Sequence, residues 1–210
     1  VEVQLDGAVI RNRDFSWNVM VNATSFKNQI TKMPDTSPEI LSGTKQWKAD
    51  RSIYDYYLRD FYGVDPKDGA ALYSNVITWN PANSREIPNG KGGMDSVTTN
   101  INNARYVYVE KTSIPDVYGG IRNTLTYKDF EFSFLFTYQI GGYAYDNGYA
   151  GLMHAGTYGN ALHKDALQAW KNTGDVTNVP RMESNVNPDL AGASDRWLLS
   201  ATHLSLNNIN

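Results

Sequence analysis

The chain of 210 residues contains no cysteine. That excludes disulfide frameworks, thiolate nucleophiles and cysteine-based zinc sites, and on its own assigns no compartment. It also lacks any apolar run of about 18 residues, so no transmembrane helix is encoded. A basic excess is missing as well. Lys and Arg number 19 against 22 Asp and Glu, and the net charge of −3 offers no footprint for nucleic acid. The three histidines, His154, His163 and His203, do not have metal-ligand spacing. No Gly-x-Ser-x-Gly elbow occurs, and no two carboxylates stand out as a pair, so an enzyme is not expected and no cofactor is implied. There is no sequence repeat with a period of roughly 20–50 residues.

What the chain does have is aromatic residues, 12% of the total with 14 tyrosines, distributed at period two. From Phe130 to Ile140 every second residue is aromatic or Ile, namely Phe130, Phe132, Phe134, Phe136, Tyr138 and Ile140. Successive strand side chains point to opposite faces, so these share one side while Glu131, Ser133, Leu135, Thr137 and Gln139 share the other. Such a strand either covers a soluble core or stands in a bilayer beside a hydrated interior; period two alone fits both. The negative mean hydropathy of −0.48 is compatible with a barrel, whose loops and lumen are polar.

The alternation of Val1 to Val9 predicts a strand, followed by a turn at Asn12-Arg13-Asp14 and a second strand with Phe15, Trp17, Val19, Val21 and Ala23 on one face. Residues 31–51 show no period and read as a long loop. Residues 52–62 read as one strand of mixed facing, residues 63–69 as a turn, and residues 71–79 as another strand. The Gly-, Asn- and Pro-rich stretch 80–103 reads as loop. Strands are expected at 105–110, 118–127 and 197–209, with a long connection from Gly141 to Ser194. Inside it Leu162, Ala166, Ala169 and Trp170 predict a helix over 160–171 that Gly174 helps to stop. The total is about eight strands.

Several local patterns have plain readings. Asp65-Pro66-Lys67-Asp68-Gly69 is a turn, since an EF-hand loop begun there would need Gly at Ala70 and Glu at Val76. Asn89-Gly90-Lys91-Gly92-Gly93 lacks the Ser or Thr of a phosphate loop. Asn22-Ala23-Thr24 matches a glycosylation sequon but sits mid-strand. The connections carry more information, because they alternate between tight turns and very long links, as in outer-membrane barrels and unlike most sandwiches.

Several segments, in order along nearly the whole chain, resemble the SusC/RagA-like TonB-dependent transporters of Bacteroidetes outer membranes. They include Gly7 to Trp17, Lys27 to Pro34, Gly63-Val64-Asp65-Pro66, Ile114 to Gly120, Phe134 to Asp146, His163 to Leu167, Ser194 to Leu198 and Leu204 to Ile209. The resemblance implies an all-β, antiparallel transmembrane segment of a plugged barrel of about 22 strands, with long extracellular loops, one of them containing a short helix. Residues 1–210 would be a late part of the barrel domain, a piece of a longer chain, without the plug. Phe130 would lie near the periplasmic rim and Ile140 near the outer surface.

The implied function is active import of an oligosaccharide or peptide across the cell outer membrane. A SusD-like surface lipoprotein would act as partner, a TonB complex would supply force through a region outside this chain, and lipid would surround the wall. Trp17 and Tyr138 are candidates for the interfacial aromatic girdle. Trp47, Tyr143, Tyr145, Tyr149, Tyr158 and Trp170, in or beside the long connections, are the candidate ligand contacts, because aromatic faces stack on sugars and peptide side chains. The alternatives are a soluble β-sandwich that binds glycans and, more weakly, a surface hydrolase fragment.

Overall fold

In the computed structural model, which describes residues 1–154, 158–182 and 193–210, the described residues form fifteen strands. The first pair, β1 (Glu2–Arg11) and β2 (Phe15–Thr24), is a hairpin as the alternation requires. There follow β3 (Glu39–Ser42), β4 (Lys45–Lys48), β5 (Asp55–Arg59), β6 (Phe61–Val64), β7 (Ala71–Tyr73), β8 (Ser84–Pro88), β9 (Met94–Thr98) and β10 (Tyr106–Thr112). A second long hairpin, β11 (Val117–Tyr127) and β12 (Phe130–Ile140), precedes β13 (Tyr143–Tyr145) and α1 (Asn147–Leu152), the one α-helix among the described residues. The chain continues with β14 (Leu198–Ser200) and β15 (His203–Ile209).

Five strands build an antiparallel wall in the order β1-β2-β11-β12-β15. Four of them have 10 or 11 residues, the length a tilted strand needs to cross a bilayer. Register places Leu5, Val21, Ile121, Phe136 and Leu206 in one line across the wall. Every second residue on each strand joins that face. It therefore gathers Trp17, Val19, Leu125 and the whole Phe130–Ile140 stripe, whose rings touch at 5.6 Å between Phe132, Phe134 and Phe136. Gln4, Asn22, Arg122, Thr137 and Ser205 fall on the reverse. Among the described residues no layer covers the apolar side. Phe130 is 79% and Phe132 47% exposed, which is inconsistent with a soluble core stripe.

Two details fix the wall. Asn123, buried on the apolar face, accepts a hydrogen bond from the Trp17 indole at 3.1 Å, which satisfies a polar group where water is scarce. At the other end Tyr138 lies across Gly119 and its hydroxyl donates to the Asn22 carbonyl at 2.9 Å. Trp17 and Tyr138 thus stand at opposite ends of the wall. The wall is open: among the described residues the outer edges of β1 and β15 have no partner strand.

The links alternate in length. Residues 12–14 and 128–129 turn tightly at one end, whereas residues 25–116 and 141–202 make long excursions at the other. Several sequence expectations fail inside those excursions. Among the described residues the strands number fifteen against about eight expected, with only five of them in the wall, because the supposed loops 31–51 and 80–103 hold the hairpins β3–β4 and β8–β9. Their strands have only four or five residues, too few for a period to register. The single strand expected over 52–62 is two strands, β5 and β6, in different sheets, and the one expected over 71–79 shrinks to β7.

The loop helix lies elsewhere than the periodicity suggested. Residues 160–171 form only a 3-10 segment at Lys164–Gln168, held by tertiary packing of Ala166 and Ala169. The α-helix is α1, whose start is capped by Asp146 accepting from the Tyr149 amide at 2.8 Å. Six residues are too few for an apolar stripe to show in the sequence.

Candidate functional site

The buried core of the described residues lies in the two excursions and not in the wall. Phe61 packs on a cluster of Ala71, Tyr73, Ile101 and Ala104 from the first. Trp197, fully buried, centres a cluster with Ala150, Met153, Ala169 and Val179 from the second. A third joins the two: Tyr56 and Leu58 from the first excursion meet Leu198, Tyr143 and Tyr145 from the second. The wall therefore carries a folded cap at one end.

Polar bonds lock the halves of the cap together. The Phe61 amide donates to Asp195 at 2.9 Å, and Lys111 reaches the other Asp195 oxygen at 3.1 Å. The Tyr56 hydroxyl donates to the Tyr143 carbonyl at 3.0 Å. Gly69, at φ +73°, gives the chain the room to pass beneath Trp170. A Cβ there would sit 2.5 Å from the indole, which in turn donates to the Pro66 carbonyl at 3.2 Å.

Arg85 bridges Asp65 and Asp68 in the turn, so a guanidinium, and not a metal ion, neutralises both carboxylates. The Arg85 hydrogen bond holds the Asp68 carboxyl below its ordinary range, and Arg85 itself is raised by the same bond. Because the folded carboxyl is depressed, its stabilisation is complete above the unfolded value of about 3.9 and drains as pH falls through the lower folded value. Asp68→Asn should therefore cost about 1 kcal/mol at neutral pH, solvent screening included. The gap to the wild type should close in strong acid, read as protease resistance of the cap against pH.

The four-stranded sheet β10-β5-β4-β3 packs Tyr56 and Leu58 inward. Its other face presents Tyr57, Tyr106 and Tyr108, with Tyr57 paired to Tyr108 and Arg59 to Tyr106. Arg51 and Arg59 each stack at 4.3 Å, on Tyr108 and Tyr106 respectively. At the foot of this face a cavity of about 450 Å³ opens beside the wall, lined among others by Asn28, Arg51, Asp55, Thr112 and Asp116. Lys45, between Tyr54 and Tyr56, donates to Tyr54 O and Ser113, and burial lowers its affinity for a proton. Arg196 is enclosed between Phe61 and Trp197, and burial lowers it too.

The six candidate aromatics do not form one patch. Tyr143, Tyr145 and Tyr149 pack in the cap core, and Tyr149 stands edge-on to Trp197 and donates to Asp165 at 3.0 Å. Trp170 covers Gly69. Trp47, on β4 opposite Ile40, and Tyr158 are exposed and apart from the others. The tyrosine–arginine face was not singled out from sequence. Its signals were the period-two runs Tyr57, Arg59 and Tyr106, Tyr108 within short strands.

An antiparallel wall with one apolar and one polar face, tight turns at one end and a folded cap at the other has the architecture of a transmembrane β-barrel segment. No family model matches the chain. Two curated relatives from Formosa agariphila do: TonB-dependent receptor P39 is 23% identical along 99% of this chain and 23% of its own length. TonB-dependent receptor P3 is 25% identical along 86% of this chain and 18% of its own. The RagAB peptide transporter structure superposes with a TM-score of 0.78 at 21% identity, covering 99% of this chain and 22% of that one. The RagAB peptide importer in its 'open-open' state gives 0.74 at 19%. The chain thus spans under a quarter of the length of these relatives. It is similar, along nearly all of its own length, to one stretch of a SusC/RagA-like TonB-dependent receptor.

Proposed function

We propose that residues 1–210 are part of the barrel domain of an outer-membrane TonB-dependent transporter, with the apolar face on lipid, the polar face on a hydrated lumen and the cap outside the cell. The observation that carries this is the uncovered apolar face, continuous over five strands and backed by a polar one. The wall does no chemistry on cargo; it bounds a path, and force delivered through a TonB complex elsewhere in the protein opens it. The cargo is a peptide or oligosaccharide, and the RagAB neighbours favour peptide. A SusD-like lipoprotein of the outer surface is the partner that would lie over the cap. Trp47 and Tyr158, the two candidate aromatics left exposed, are proposed as cargo or partner contacts.

A pair of substitutions on one strand tests the lipid assignment. Phe134→Lys, near the middle of β12 on the apolar face, should destabilise the membrane-inserted protein by about 2–4 kcal/mol, whereas Thr137→Lys on the polar face should cost under about 1 kcal/mol. Urea titration in vesicles measures both. Equal costs, or a full-length protein released from membranes by carbonate, would favour a soluble glycan-binding sandwich.

A further inference from the structure

We propose that the face bearing Tyr57, Tyr106 and Tyr108, bounded by Arg51 and Arg59, recognises acidic oligopeptides as cargo. This rests on the transporter reading and adds to it a place and a chemistry.

The geometry supplies the argument. Tyr57 stands between the other two rings, with centroids 5.8 Å from Tyr106 and 5.0 Å from Tyr108. The outer rings are each covered by a guanidinium, while no cation covers Tyr57 among the described residues. A stacked guanidinium keeps its in-plane N–H edge available to an acceptor. Among the described residues Arg59 donates from all three guanidinium nitrogens to neutral groups, the Ala104 carbonyl at 3.3 Å, the Tyr106 hydroxyl at 3.0 Å and Asn102 at 3.4 Å, so a ligand carboxylate would replace one of these neutral acceptors. Arg51 has one carboxylate, Glu110, at 3.4 Å from both terminal nitrogens, and the Glu110 side chain is 75% exposed. So long and solvated a pair is worth little and yields readily to an incoming carboxylate.

The class of ligand follows from what the rings offer. Sugars stack through C–H faces on bare aromatic rings, and two of the three rings are already covered by planar cations. Planar amides and carboxylates suit that surface better. An extended peptide places side chains on one face every ~6.8 Å, so alternate acidic residues would meet the two arginines while the intervening amides lie over Tyr57. Arg51 also lines the cavity at the foot of the sheet, but Asp50, Asp55 and Asp116 line it as well, so the surface offered to acidic side chains ends at Arg51.

The experiment uses the full-length protein purified in detergent, titrated calorimetrically with three probes: a hexapeptide with two glutamates flanking a phenylalanine, its glutamine counterpart, and a galacturonate hexamer. The glutamate peptide should bind about tenfold more tightly than the glutamine one, and Arg51→Gln or Arg59→Gln should each remove about tenfold from the former alone. Tyr57→Ala should weaken both peptides and Tyr57→Phe neither; unchanged protease patterns confirm that the variants are folded. Equal affinity for the two peptides, or arginine variants that bind the glutamate peptide like the wild type, overturns the proposal. Galacturonate binding above that of the peptide overturns the peptide assignment. No binding of any probe by a protein that fractionates with the outer membrane overturns this face and leaves the transporter reading standing. Absence from that fraction overturns both.

Discussion

Trp197→Ala is expected to unfold the cap while leaving the wall inserted. Trp197 has no exposed surface and touches residues from three separate stretches of the second excursion. Truncating a buried Trp costs about 3–5 kcal/mol, most of it through a cavity that neighbours cannot close. Here they have little freedom to close it. Tyr149 is pinned edge-on to the indole and bonded to Asp165, and Arg196 lies against the ring's face at 4.6 Å. The substitution would also admit water to Arg196 and weaken the seam at Asp195, next in the chain. Limited proteolysis of intact cells should cut the second excursion rapidly, uptake should fall, and the amount of protein in the outer membrane should stay near the wild-type level. Loss of the protein from the membrane would instead mean that cap and wall fold as one unit.

Gly119→Val should produce the opposite pattern, a damaged wall under an intact cap. A Cβ at this position would fall 1.9 Å from the Asn22 carbonyl oxygen and 2.9 Å from the Tyr138 hydroxyl. The first contact is with backbone, so β2 and β11 must separate, and the second expels the ring that crosses the glycine. Overpacking of this kind costs about 3 kcal/mol, and loss of the Tyr138–Asn22 hydrogen bond adds about 1 kcal/mol. Gly7 is the matched control. It lies on the same face of the same wall, with nothing within 4 Å of its would-be Cβ, so Gly7→Val should change stability by less than about 1 kcal/mol. Urea titration in vesicles, followed by the gel shift of folded against heated protein, reads both. A Gly119 variant as stable as the Gly7 variant would show that the close approach is relieved at no cost.

The wall was legible in the sequence because its signal is repetitive. Ten or eleven residues of strict alternation leave little else for Phe130–Ile140 or Phe15–Thr24 to be, and the observed strands match those bounds. Neighbour order was not legible. That β2 pairs with β11 across residues 25–116 depends on register between distant segments, which no local pattern encodes. The cap was mostly hidden. Its strands are three to seven residues long, and its turns use Gly, Asn and Pro, the residues that also mark unstructured loop. Among candidate ligand aromatics, composition identified Tyr143, Tyr145 and Tyr149 as notable but could not tell a surface ring from one packed on Trp197. The Tyr57–Tyr106–Tyr108 face needs two strands brought side by side before its alternation means anything.

The bonds across the cap also bear on mechanics. One excursion is rooted in β2 and β11, the other in β12 and β15, and Asp195, Tyr143 and Pro66 fasten the two above the wall. The wall strands β2, β11, β12 and β15 are thereby tied together at one end, and any motion that splays them there must break these bonds.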